Sequence, residues 1–154
     1  MKLGRIGTRA AAAVAMMLAA AVLVPAAQAP AQAAPKSPAA WTPQIYPLLS
    51  GESVDRNISS ANRNAALAIC AYANGIACVS VGQGDGMHSV FHLYKCDTRS
   101  LSNFVDALAV KNHQTGGAQV HFWGPRYSAF IPANNTITTV PDYATYDFNR
   151  LKIC

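Results

Sequence analysis

Four cysteines, Cys70, Cys78, Cys96 and Cys154, constrain this chain more than any other feature. Their meaning depends on compartment, because thiols stay reduced in the cytosol and pair outside it. The N-terminus addresses that question. MKLGRIGTRA carries Lys2, Arg5 and Arg9, the apolar run AAAVAMMLAAAVLVP follows, and the small residues AAQAPAQAAP close the segment. A basic region, a short apolar region and a small-residue cleavage site together predict a secretory signal peptide. The apolar run is shorter than the roughly 20 residues a membrane span requires. Cleavage is expected after Ala33, so residues 1–33 are the signal and the mature chain is extracellular with no membrane segment. An even cysteine count in a small exported chain then predicts two disulfides, with three pairings open. A four-thiolate zinc site is disfavoured by the absence of any C-x2-C pair.

Removing the signal changes the charge argument. The full chain has 12 Lys and Arg against 7 Asp and Glu, a net of +5. Lys2, Arg5 and Arg9 leave with the signal, so nine basic and seven acidic residues remain, a net of +2. A nucleic-acid footprint needs a clustered basic face. Lys95, Arg99, Lys111, Arg126, Arg150 and Lys152 are instead scattered singly. The sequence gives no support to nucleic-acid binding.

The mature part is short enough for one domain. Residues 34–62 hold four prolines and many small polar residues, which predicts a mobile N-terminal arm. Trp41, Ile45, Tyr46, Leu48 and Leu49 are its available anchors. RNAALAICAYANG, residues 63–75, allows a short helix capped by Asn62 or Asn64 and ended by Gly75, or a strand entering a hairpin. CVSV and SVFHLYKC flank the glycine-rich GQGDGM, a strand–loop–strand pattern. Leu101, Phe104, Val105 and Leu108 fit a helical stripe in SLSNFVDALAV, with Ser100 as a cap. KNHQTGG reads as a turn and AQVHFWG as the clearest strand, Val120 and Phe122 on one face, His121 and Trp123 on the other. SAFIPA, TITTV and FNRLKIC supply further extended segments. Residues 63–154 are therefore expected to form an all-β domain with one or two short helices, a disulfide-stabilised Greek-key sandwich or barrel.

Catalytic patterns are sparse. His88 and His92 are four apart and share one face of a strand, which suits a metal or acid–base chemistry, but no carboxylate stands beside them at ligand spacing. There is no G-x-S-x-G, no free thiol once the cysteines pair, and no phosphate loop, since GQGDGM lacks the following lysine and helix. DRNISS (55–60) and NNTITT (134–139) approach the calcium pattern of βγ-crystallin modules, but Arg56 and Thr139 depart from it. The plainer reading makes them turn residues bonded to their own backbone. No metal and no cofactor are expected.

GIACVSV, VFHLYKCDTRSLSNF, KNHQTGGAQVHF and the terminal KIC follow one order. That order resembles small secreted actinobacterial proteins of the metalloproteinase-inhibitor family, over residues 70–154. The resemblance implies a βγ-crystallin-like fold, Cys70–Cys78 as a hairpin clasp and Cys96–Cys154 tying the C-terminus to a middle strand. His113 stands where the family has a second Asn, and no inhibitory contact residue carries over.

The leading functional expectation is a secreted, monomeric binding protein that inhibits a protease through an exposed loop. The candidate loops are Gly82 to Met87, with Gly84 and Asp85, and Gly124 to Tyr127, with Tyr127. A carbohydrate or cell-wall module is the alternative, using Trp123, Tyr127, Tyr143 and Tyr146 to stack on sugar rings. A small hydrolase using His88, His92 or His121 is the second alternative. The expected partner is thus a secreted protein such as a protease, or a polysaccharide.

Overall fold

AQVHFW folds as its alternation predicts, with Val120 and Phe122 fully buried and His121 and Trp123 on the opposite, partly exposed face. A computed structural model describes residues 40–154. The expected signal peptide, and the arm up to residue 39, lie outside the described residues. The element order is β1 (Gln44–Tyr46), β2 (Ser53–Ser59), α1 (Arg63–Cys70), β3 (Ile76–Gly82), β4 (Met87–Leu93), β5 (Asp97–Ser102), β6 (Ala109–His113), β7 (Gln119–Trp123), β8 (Ser128–Pro132), β9 (Ile137–Thr139), α2 (Asp142–Thr145) and β10 (Arg150–Ile153).

The strands form two antiparallel five-stranded sheets, an all-β sandwich with two short helices. The first, sheet A, has the order β1-β5-β10-β7-β8, and sheet B has β2-β4-β3-β6-β9. The inward residues of both sheets share one core: Leu151, Ile153, Val120, Phe122 and Ile131 from sheet A meet Val79, Val81, Phe91, Leu93 and Val110 from sheet B. The outer faces differ. Leu67, Cys70 and Ala71, from α1 and the residue after it, cover sheet B through Val90, Cys78 and Ala109. Among the described residues, no helix packs on the outer face of sheet A.

The Pro-rich arm expected over 34–62 does not persist from Gln44 onward. Gln44–Tyr46 pairs with Ser100–Ser102, and Ser53–Ser59 pairs with β4. The prolines are compatible because β1 and β2 are edge strands, with Pro43 and Pro47 flanking β1. Ile45 enters the core, Trp41 donates its amide to Gln83 O at 2.7 Å, and Tyr46 stays largely exposed. The domain therefore begins before residue 63.

The helical stripe expected in SLSNFVDALAV is also absent. Leu101 belongs to β5, and Phe104 and Leu108 anchor the loop that carries the chain from sheet A to sheet B. Asn103 and Ala107 have positive φ, which breaks a helix there. Spacing alone mimicked a helix because crossover anchors recur at three- and four-residue intervals. The turn expected at KNHQTGG is shorter than predicted, since Lys111, Asn112 and His113 lie in β6. The alternative of a helix at RNAALAIC holds, although Asn62 makes no side-chain cap bond.

Cys70–Cys78 joins the end of α1 to β3, and Cys96–Cys154 joins the start of β5 to the end of the chain. Beside the second disulfide lies a fully buried ion pair. Arg99 Nη2 donates to Glu52 Oε1 at 2.6 Å and to Lys95 O at 2.9 Å. The same Glu52 carboxylate accepts the backbone amides of Leu49, Tyr94 and Lys95. Removing one partner of a buried pair leaves a charge that nothing offsets. Arg99→Met is expected to lower unfolding free energy by about 3–5 kcal/mol in urea titrations with the disulfides intact. A loss under about 1 kcal/mol would contradict the role assigned to this pair.

Candidate binding face

Strand alternation decides what the uncovered side of sheet A displays. Its register places outward residues in two rows across the strands. One row runs Tyr46, Ser100, Arg150, Trp123 and Ser128, and the next runs Thr98, Lys152, His121 and Phe130. Three of these rings form a continuous stack. His121 lies 3.9 Å from Phe130, with planes 12° apart, and 4.6 Å from Trp123, with planes 28° apart. The first contact is a cross-strand pair and the second an i, i+2 neighbour on β7. His121 Nε2 also lies 2.8 Å from Ser128 Oγ, which fixes the ring in the stack.

His121 is held below its ordinary pKa of 6.5, first by partial burial and then by the Lys152 cation. It is therefore a neutral aromatic ring at pH 7. Phe130 is 60 % exposed, although it belongs to a well-formed strand. A shallow depression of about 190 Å³ opens beside the stack, lined by Gln119, His121, Phe130, Lys152 and Cys154.

The β7–β8 loop sits at the end of this face. Asp147 Oδ2 accepts the amides of Arg126 and Tyr127, both at 2.8 Å, and Oδ1 accepts Arg126 Nε at 3.2 Å. Burial pushes the Asp147 carboxyl up, but the two amides and the Arg126 guanidinium outweigh it and hold it below the usual range. Gly124 passes so close to the Asp147 backbone carbonyl that any Cβ would collide with it. The loop is thus clamped from below. Its tip presents Arg126, and Tyr127 meets Tyr143 edge-on at 5.3 Å between ring centroids.

Of the residues singled out from sequence, Trp123 and Tyr127 lie at this end of sheet A. Gly84 and Asp85 lie in the β3–β4 hairpin of sheet B, and no hydrogen bond or ring contact joins the two pairs. Gly84 sits under the Trp41 ring with φ of +79°, so it is a packing position. Asp85 Oδ1 accepts the Met87 amide at 3.0 Å and closes its own turn. In NNTITT, Asn134 Oδ1 accepts both the amide and the hydroxyl of Thr136. In DRNISS, Asn57 takes positive φ inside a bulge of β2.

The histidines occupy separate environments. His92 Nε2 pairs with Asp55 Oδ2 at 2.9 Å, a carboxylate brought by β2 that no local spacing announced. His113 Nδ1 lies 2.8 Å from Ala71 O. His88 is buried, with Ser60 Oγ 3.1 Å from Nε2 and Ser80 Oγ 3.4 Å from Nδ1. Sequence reasoning missed Phe130, Arg150 and Lys152. The alternation in SAFIP and RLKI was the signal that could have placed them outward.

No family model, no curated protein and no solved structure matches this chain.

His88 gives a pH expectation. Burial, then the Arg63 cation, hold it below its ordinary 6.5, and Asp106 and Asp85 do not offset them. The unfolded chain takes up the proton first as pH falls. Stability present above pH 6.5 is therefore lost through the window below it. His88→Gln removes that proton uptake. Urea midpoints at pH 7.5 and pH 5 are expected to differ less for the variant than for the parent. Equal differences would contradict the reading.

Proposed function

We propose that this chain is a secreted binding protein whose ligand is a polysaccharide, engaged by the outer face of sheet A. The observation that carries the reading is the Trp123–His121–Phe130 stack on a sheet face that no helix among the described residues covers. Side chains on an uncovered sheet face are normally polar, because exposed apolar area gains nothing on folding. A rigid aromatic row with hydroxyl groups elsewhere on the same face suits sugar rings, which offer apolar C–H faces and polar edges. The hydroxyls are Ser100, Thr98 and Tyr46. Secretion is supported by the two disulfides and by the signal-like N-terminus. Among the described residues no helix is long and apolar enough to cross a membrane.

The mature protein is expected to be retained on at least one insoluble polysaccharide or cell-wall preparation. Trp123→Ala and Phe130→Ala are each expected to weaken retention by about three- to tenfold, the size of one aromatic stacking contact. Circular dichroism verifies that the variants remain folded. Absence of retention for the parent, or unchanged retention in both variants, would contradict the proposal.

The clamped β7–β8 loop supports a second reading, protease inhibition, in line with the sequence resemblance. A loop already held in one shape loses little entropy on entering a cleft. Asp147 supplies that rigidity, and Arg126 at the tip is 74 % exposed. Inhibition of at least one secreted protease at micromolar concentration, weakened by Asp147→Asn, is the expected outcome. A panel with no inhibition would remove this reading.

A further inference from the structure

The same face carries a charge pattern that the polysaccharide reading does not require. Arg150 and Lys152 are successive outward residues of β10, the central strand of sheet A. Arg150 is the cross-strand partner of Trp123, and Lys152 that of His121. Neither cation takes part in an ion pair among the described residues, whose pairs are His92–Asp55, Arg99–Glu52 and Arg126–Asp147. No Asp or Glu occupies either outward row of this face. Four of the seven acidic residues are engaged elsewhere. Glu52 is buried with Arg99, Asp55 faces His92 on sheet B, Asp85 closes its own turn, and Asp147 clamps the β7–β8 loop.

A cation left without a partner costs little at the surface, so its presence alone means nothing. The arrangement says more. Outward neighbours on one strand stand about 6.7 Å apart, and the longer row crosses four strand spacings, a strip of about 19 Å. Along that strip the two cations lie between hydroxyls on β5 and aromatic rings on β7 and β8. A chain of sugars laid across the strands would meet hydroxyls on β5, then a positive charge on β10, then rings on β7 and β8. A neutral glycan gains at most hydrogen bonds from these cations, whereas a glycan bearing anionic groups gains charge attraction as well.

We infer that the outer face of sheet A selects anionic polysaccharide, its rings held by Trp123, His121 and Phe130 and its acidic groups by Arg150 and Lys152. This inference rests on the polysaccharide reading. Uronate, sulfate and phosphate groups share the required charge, and the experiment separates them.

The test measures binding of the mature protein to soluble polygalacturonate, a sulfated glycan, a glycerol-phosphate polymer and a neutral β-glucan, at low and high salt. At least one polyanionic glycan is expected to bind more tightly than the neutral one, with affinity falling as salt rises. The double variant Arg150→Gln, Lys152→Gln is expected to bind that glycan about tenfold more weakly, the order expected from two exposed ion pairs. The same variant is expected to weaken binding of the neutral glycan by a smaller factor than binding of the anionic one. Equal affinity for neutral and anionic glycans, unmoved by the double variant, would overturn the charge selection while leaving polysaccharide binding intact. Absence of binding to any glycan would overturn both. Tighter binding to a single-stranded oligonucleotide than to every polyanionic glycan would also overturn it, because basic and aromatic groups together serve nucleic acids as well.

Discussion

The buried Glu52–Arg99 pair is the contact on which the remaining architecture depends. One carboxylate holds three backbone amides and one guanidinium. The amides belong to two different connections. Leu49 lies where the chain leaves sheet A for sheet B, and Tyr94 and Lys95 lie where it returns. Arg99 then bonds back to Lys95 O from β5. Two chain crossings are thus pinned at one corner of the sandwich, beside the Cys96–Cys154 bond. Such a pair adds little net stability over an apolar substitute, but it tolerates no vacancy. The disulfide closes a loop of 58 residues, for which chain entropy predicts about 4 kcal/mol, and fixes β10 against β5.

That corner has consequences for function. With β10 held between β5 and β7, its alternation buries Leu151 and Ile153 and turns Arg150 and Lys152 outward. The two sheets are then treated unequally. Sheet B spends its outer face on a second small core under α1, clasped by Cys70–Cys78. Among the described residues, sheet A keeps its outer face open, and there the chain places an aromatic stack and two cations outside any ion pair. Burial of His88 between two serines belongs to the covered side, and neutral stacking of His121 belongs to the open side. The same residue type serves packing in one place and display in the other.

Much of this was legible in the sequence, for local reasons. The β3–β4 hairpin, the β7 strand and the mostly β composition follow from alternation and turn residues that act over a few positions. The disulfide pairing matches the resemblance, and two antiparallel sheets fit the expected sandwich. What stayed hidden depends on contacts far apart in sequence. Glu52 and Arg99 are 47 residues apart, and Asp55 and His92 are 37 apart. No window of sequence connects them. The crossover residues Phe104 and Leu108 imitated a helix because anchoring needs apolar side chains at similar intervals. The Pro-rich stretch imitated a free arm because edge strands tolerate proline where central strands do not. The proposed binding face was half visible. Trp123 stood out by its size, whereas Phe130, Arg150 and Lys152 acquired meaning only through the register that aligns them.

We propose that the outer face of sheet A, and not a loop or the α1 surface, is where this protein meets its ligand. Nuclear magnetic resonance of the isotope-labelled mature chain, titrated with a short oligosaccharide of each anionic class (uronate, sulfated, phosphate-bearing), reads this residue by residue. Concentration-dependent shifts are predicted at His121, Trp123, Phe130, Arg150 and Lys152, with α1 and the β3–β4 loop unmoved. Shifts confined to α1 or to residues 83–86 would contradict the account.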